Sequence, residues 1–238
     1  MKDLTERQKN ILEIVIREYI ENASPISSKY IEEEYDLGVS PATIRGELFE
    51  LIERGYLCQL HTSSGRVPTD KGYRFFVDIL IEKEIKRMEK KFVNEVCKMR
   101  EEIEERSLFL RGLTRLLAHS SSSLAVSYFP QENIFLKEGF GDVFRDPEFE
   151  DIEKIRSFIE MVDDFENNID SFLLEEKKEI MQVYIGKETP FSKRKDFSVL
   201  LSPCVFSKKR GLFAIMGPRR MSYEKNMALF ENIIKLLE

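Results

Sequence analysis

Only three cysteines, Cys58, Cys97 and Cys204, occur in this sequence. They lie far apart, with no C-x-x-C pair and an odd total, so neither a disulfide framework nor a zinc site is suggested. The expectation is reduced thiols in the core. Histidine is scarcer still: neither His61 nor His119 has a spaced Cys, His or carboxylate partner that would suggest a metal ligand set. The sequence also lacks G-x-S-x-G, a P-loop, G-x-G-x-x-G and H-E-x-x-H. Adjacent carboxylates such as Asp163 and Asp164 would point about 100° apart on a helix instead of converging. No nucleophile and base are assembled, so the reading is a protein with no catalytic residue, no cofactor and no metal. Long apolar runs are missing as well, and no cleavable leader is legible before the first helix. A cytoplasmic protein without membrane contact is the expectation. Finally, there is no surplus of positive charge: 37 Lys and Arg stand against 43 Asp and Glu, with a pI near 5.3. That counts against indiscriminate nucleic-acid binding, which displaces counterions with Lys and Arg. Any grip on DNA has to rest on local geometry.

What is present suggests two domains, since 238 residues with 42% apolar content can supply two cores. Thr5 with Gln8 three residues later resembles a capping box, and Leu12, Val15, Ile16 and Tyr19 follow at helical spacing. The helix should end near Asn22. Pro25 bars its continuation, and Ser27 or Ser28 can cap a short second helix whose Tyr30, Ile31 and Tyr35 pack inward. Asp36 to Val39 reads as a tight turn. Ser40 is then an N-cap with Pro41 at N1, and a third helix runs to Gly55. Tyr56 to Leu60 suits a strand, Thr62 to Gly65 a turn, and Arg66-Val67-Pro68 the returning strand. Helix-turn-helix followed by a hairpin wing is the reading for residues 1–78.

At 100° per residue, Ile44, Leu48, Leu51 and Ile52 form the core face of the third helix. Ala42, Gly46 and Glu53 face the other way, flanked by Thr43 and Glu50, while Arg45 projects from the opposite edge. In such a unit the N-terminal half of this helix enters the major groove and the wing follows the backbone. The candidate DNA-binding residues are Ser28, Lys29, Ser40, Ala42, Thr43, Arg45, Gly46, Ser63, Ser64 and Arg66. Ser40, Thr43 and Arg45 belong at the groove; Lys29, Ser63, Ser64 and Arg66 belong on phosphate. Gly46 costs about 1 kcal/mol of helix propensity relative to Ala. Its plain reading is drift on a solvated face.

Three segments carry a resemblance: Leu4-Thr5-Glu6-Arg7-Gln8, Ser40-Pro41-Ala42-Thr43-Ile44-Arg45, and the run from His61 through Ser63-Ser64-Gly65-Arg66-Val67-Pro68-Thr69-Asp70-Lys71-Gly72-Tyr73-Arg74. Together with Val183-Tyr184-Ile185-Gly186 and Ile215-Met216-Gly217-Pro218-Arg219-Arg220-Met221, they resemble the heat-inducible transcription repressor family, HrcA. The resemblance implies a homodimeric repressor of chaperone genes that binds an inverted-repeat double-stranded DNA operator called CIRCE, with the GroE chaperonin keeping it active. Two departures stand out. The family usually places an asparagine where Gly46 stands, and Asn can pair with adenine whereas Gly cannot. Family members also carry an inserted dimerising subdomain, while here Tyr128-Phe129-Pro130 runs almost directly into Asn133-Ile134-Phe135. The competing reading is a non-DNA adaptor on a winged-helix scaffold, supported by Gly46 and the acidic pI.

From Lys71 the pattern is helical as far as Leu117, with 79–119 read as a linker helix. Ile81, Ile85, Met88, Phe92, Val96, Met99 and Ile103 form one stripe, either a dimer seam or a face packed on the chain's own second domain. The second reading is favoured because the repeat is short and irregular. A truncated GAF-like regulatory domain is expected over 120–238. It should hold a strand at Leu124 to Phe129, a helix from Asp151 to Glu179 with Ile152, Ile155, Ile159 and Val162 on one face, and strands near 181–185, 198–206 and 211–216. Ser207 to Arg210 should turn a hairpin, and a final helix should carry Phe230, Ile233, Ile234 and Leu237. Helices beside a mainly antiparallel sheet make the fold α+β. Segment 146–179 is acidic and 187–210 basic, which reads as ordinary surface charge.

Overall fold

The structure, a computed structural model, describes residues 4–59, 65–83, 90–174, 181–190 and 195–237, without the side chains of 172–174. The chain divides into two compact units, Met1–Lys83 and Glu84–Glu238.

The first unit opens with α1 (Glu6–Asn22), whose capping box joins Thr5 and Gln8 reciprocally. Ile11, Leu12, Val15 and Ile16 are fully buried. Ala23 then adopts the left-handed conformation and ends the helix. α2 (Ser28–Glu34) is capped by Ser27, and α3 (Pro41–Glu53) by Ser40 with Pro41 at N1. Ile44, Leu48 and Leu51 of α3 are buried, so the wheel reading of its core face holds, with Ile52 half-buried at the margin. β1 (Leu57–Gln59) and β2 (Arg66–Pro68) pair antiparallel, Cys58 opposite Val67. α4 (Asp70–Glu82) closes the unit and buries Tyr73, Phe75, Phe76, Val77 and Leu80.

The Thr69 to Gly72 run is explained by this closure. The Thr69 hydroxyl donates to the Gly55 carbonyl at 2.7 Å and accepts from the Gly72 amide at 3.2 Å, so one side chain ties the end of α3 to the start of α4. Lys71 donates to the Arg54 carbonyl at 2.8 Å, with its ammonium 4.1 Å from the centre of the Tyr56 ring. A Cβ on Gly72 would sit 2.4 Å from the Tyr56 carbonyl oxygen, which is why no side chain fits there.

The second unit departs from the single long helix expected up to Leu117. α5 (Lys90–Glu102) and α6 (Arg106–Ser121) are separate helices broken at Ile103–Glu105. They pack on each other, and α5 also packs on the last helix. A Cβ on Gly112 would lie 3.1 Å from the Met99 sulfur, so the missing side chain lets α6 close on α5. Phe92 and Val96 are thereby buried within the unit. This favours packing on the chain's own domain over a dimer seam. Ile81 belongs to α4, where it is half exposed, and Ile85 and Met88 lie outside the described residues.

β3 (Leu124–Phe129) and β4 (Ile134–Glu138) form a hairpin joined by a single 3-10 turn over Pro130–Glu132. This turn occupies the place of the expected missing insert. α7 (Phe140–Val143), α8 (Ile152–Leu174), β5 (Gln182–Ile185), β6 (Phe197–Phe206), β7 (Lys209–Pro218) and α9 (Tyr223–Leu237) follow. The sheet order is β4-β3-β7-β6-β5, antiparallel throughout. This is the expected α+β class with an antiparallel sheet. Ser207 and Lys208, both at positive φ, turn β6 into β7.

The sheet is covered on both faces, by α8 on one and by α6 and α9 on the other. Leu124, Ala125 and Val126 are therefore all buried, which explains why β3 shows no clean alternation. α8 presents Phe158, Met161, Val162, Phe165 and Ile169 to the core, with Ile155 partly buried. Ile152 (75% exposed) and Ile159 (42%) do not share that face, a correction to the expected stripe. Phe149, Phe158 and Phe197 stack and pack edge-on in this core.

Among the cysteines only Cys204 is a core thiol, pushed up to about 12 by burial. Cys58 is half-buried and Cys97 exposed, which corrects the expectation for those two. Among the described residues no helix is long and apolar enough to cross a membrane, and no cluster of three His, Cys, Asp or Glu could hold a metal ion.

Candidate nucleic-acid interface

The first unit is organised around α3. Ser40 accepts the Thr43 amide at 3.2 Å, and its hydroxyl lies 2.9 Å from that of Thr43. Two of the three predicted groove residues, Ser40 and Thr43, therefore set the first turn of the helix, with Ser40 as its cap. Ala42, Arg45 and Gly46 are exposed, and nothing lies within 4 Å of where a Gly46 Cβ would stand. The face opposite the core is thus open along the first two turns of α3.

Two carboxylates on the flanks are neutralised from within the unit. Glu47 receives Arg7 at 2.6 Å, and Glu50 pairs with Arg54 at 3.7 Å. Such pairs add little stability when exposed, but they offset the negative charge of these two carboxylates. α2 is held to α1 by Glu18, which accepts the hydroxyls of Tyr30 and Tyr35. These hydrogen bonds, Tyr30's first, hold the Glu18 carboxyl below its ordinary value. They raise both phenols to about 12.

Ser28 is half-buried as the first residue of α2, and Lys29 is exposed, 3.4 Å from Glu33. One feature was not legible in the sequence. Ile26 forms an isolated bridge with Arg66, exchanging hydrogen bonds of 3.0 Å and 2.7 Å. This adds a third strand segment to the hairpin and ties the wing to the residues just before α2. Gly65 makes it possible, because a Cβ there would stand 2.5 Å from the Pro25 carbonyl carbon and oxygen. Arg66 is half-buried, and its Nε has no hydrogen-bond partner among the described residues. Ser63 and Ser64, together with His61, lie outside the described residues.

The structure therefore gathers Ser40, Ala42, Thr43, Arg45 and Gly46 on the start of α3, and joins Arg66 to the approach of α2 through Ile26. A further residue on the open face escaped the sequence reading: Phe49, 59% exposed. Its signal was available, since the same helical wheel sets it on the side away from Ile44, Leu48 and Leu51.

The chain matches the family model described as HrcA protein C terminal domain over residues 69–227. It is similar to the heat-inducible transcription repressor HrcA of Chlorobium phaeobacteroides, 48% identical over 96 residues, covering 38% of this chain and 27% of that protein. The namesake from Roseiflexus castenholzii is 53% identical over 81 residues, which are 34% of this chain and 23% of that protein. These stretches span about a quarter of the relatives' own length. The namesake from Clostridium acetobutylicum is 26% identical across 98% of this chain and 96% of its own. That alignment occupies 332 positions against the chain's 238 residues, so the relative holds segments with no counterpart here. In shape, the chain resembles a crystal structure of a hypothetical protein, with a TM-score of 0.80, 22% identity and coverage of 99% and 98% of the two chains.

Proposed function

The chain belongs to the HrcA family, and from that premise we propose that it is a sequence-specific transcriptional repressor of heat-shock genes, gripping an operator with its first unit. The observation that carries this reading is the open face of α3. Ala42, Arg45 and Gly46 are exposed on it, and the wing strand of the same unit carries Arg66. A helix presented this way fits the major groove by its first turns, with the wing along the backbone.

Within this proposal Thr43 and Arg45 approach base edges, whereas Ser40 acts as the cap that aims them. Lys29 and Arg66 meet phosphate, with Ser28, Ser63 and Ser64 alongside. The operator is an inverted repeat of the CIRCE type, bound by a homodimer, and the GroE chaperonin is the partner that maintains activity; the family resemblance supports all three. Because the β3–β4 connection is one short turn, dimerisation would have to use other surfaces than an inserted subdomain. The work is DNA binding without catalysis, in the cytoplasm.

Selection from fragmented genomic DNA tests the proposal. It should enrich one inverted repeat whose half-sites lie one or more helical turns apart. Recovery of no shared motif would favour the adaptor reading, to which the acidic pI of about 5.3 lends support.

A further inference from the structure

We propose that Phe49 is a specificity-determining residue that packs its ring on a thymine C5-methyl group in the major groove. The inference rests on the proposed operator binding by α3 and names what that helix reads.

Among the described residues Phe49 is the exposed phenylalanine, at 59%; the others serve the cores. The exposed part of the ring is apolar surface on α3 whose burial against a partner is favourable. The wheel of α3 sets Phe49 about 20° from Ala42 and about 60° from Gly46, on the same open side. Ala42, Gly46 and Phe49 therefore make a strip of methyl, bare backbone and aromatic ring. It spans about 10.5 Å along the axis, close to three base-pair steps.

Hydrogen-bonding side chains are absent from this strip, so it cannot read donors and acceptors. The thymine methyl is the apolar group that base pairs expose in the major groove. Gly46 sharpens the fit, since nothing lies within 4 Å of its missing Cβ. The base edge can approach the helix there and bring the neighbouring methyl against the ring. Glu47 and Glu50, the carboxylates nearest Phe49 in sequence, are paired, with Arg7 at 2.6 Å and with Arg54 at 3.7 Å, while the exposed Glu53 lies one turn beyond the strip. An aliphatic protein surface would suit the ring too, and that occupant is an outcome of the test.

The test uses the duplex selected by the full chain. Each thymine is replaced in turn by deoxyuridine, which removes only the C5-methyl, and the dissociation constant is measured for the native chain, Phe49→Ala and Phe49→Leu. At least one replacement should weaken native binding about 4-fold, the change that corresponds to about 0.8 kcal/mol for a methyl-sized group. Phe49→Ala should bind the thymine duplex correspondingly weaker, lose all response to that replacement and keep the native salt slope, because no phosphate contact is removed. Phe49→Leu should keep part of the response. The proposal is overturned if no deoxyuridine position affects native binding, or if Phe49→Ala responds to the same position as strongly as the native chain. Failure to select any sequence would instead remove the repressor reading itself, so the two failures are distinguishable.

Discussion

Replacing glycine by alanine should have opposite consequences at two positions of the first unit. At Gly65 the new methyl would stand 2.5 Å from both the carbonyl carbon and oxygen of Pro25, and 2.7 Å from the Ile26 carbonyl carbon. All three are backbone atoms, so the strands have to separate. Overpacking of this kind costs about 1–3 kcal/mol. Weakening the two bridge hydrogen bonds between Ile26 and Arg66 adds roughly 1 kcal/mol. Gly65→Ala should therefore destabilise the first unit by about 2–4 kcal/mol. Gly46→Ala meets open space and gains up to about 1 kcal/mol of helix propensity. Urea denaturation followed by far-UV circular dichroism measures the change, and hydrogen exchange over residues 4–83 assigns it to the first unit, since two units need not unfold together. If Gly65→Ala is as stable as the native chain, or Gly46→Ala is the weaker of the pair, the account of the wing's attachment is wrong.

Three further outcomes are expected. Glu18 is held below its ordinary 4.5 by hydrogen bonds from Tyr30 first and then Tyr35; a depressed folded value means stability fully present above about 4.5 and lost as pH falls from there through the lowered folded value. Glu18→Gln should destabilise the native fold at pH 7, and the difference should shrink as pH falls below about 4.5 in denaturant titrations. Arg220 is nearly buried, 2.6 Å from Asp146 and 3.2 Å from Glu148, and Glu148 is already raised by desolvation. Arg220→Met should cost about 3 kcal/mol at neutral pH by taking the guanidinium from the partly buried Asp146 and leaving Glu148 with Lys154, 3.9 Å away, as its remaining cation; an unchanged urea midpoint at pH 7 would refute this. For DNA, Arg66→Ala should weaken all sequences alike and lower the salt slope by about 1, while Thr43→Val should shift preference among operators. Filter binding across a salt series separates the two.

The caps made the first unit readable: Thr5 with Gln8, Ser27, and Ser40 followed by Pro41 are local signals that fix α1, α2 and α3 in phase. From that phase the open face of α3 follows, Phe49 included. The Ile26–Arg66 bridge was hidden, for it joins single residues 40 apart through backbone groups that any sequence possesses. The break at Ile103–Glu105 was hidden for a related reason. No Pro or Gly marks it, and its cause is the tertiary closure of α6 on α5 at Gly112. In α8, apolar residues occur on more than one face, so spacing alone chose Ile152 and Ile159 where packing chose Phe158 and Phe165. Ser63 and Ser64, read from the sequence as part of the wing's turn, lie outside the described residues.

Hydrogen exchange of the full chain with and without its selected duplex tests the central claim most directly. Amides of residues 42–50 in α3 and of Arg66 and Val67 should slow on binding, and a scrambled duplex should leave them as they are at moderate salt. Protection confined to Glu84–Glu238, or none at α3, would contradict an operator held by the first unit.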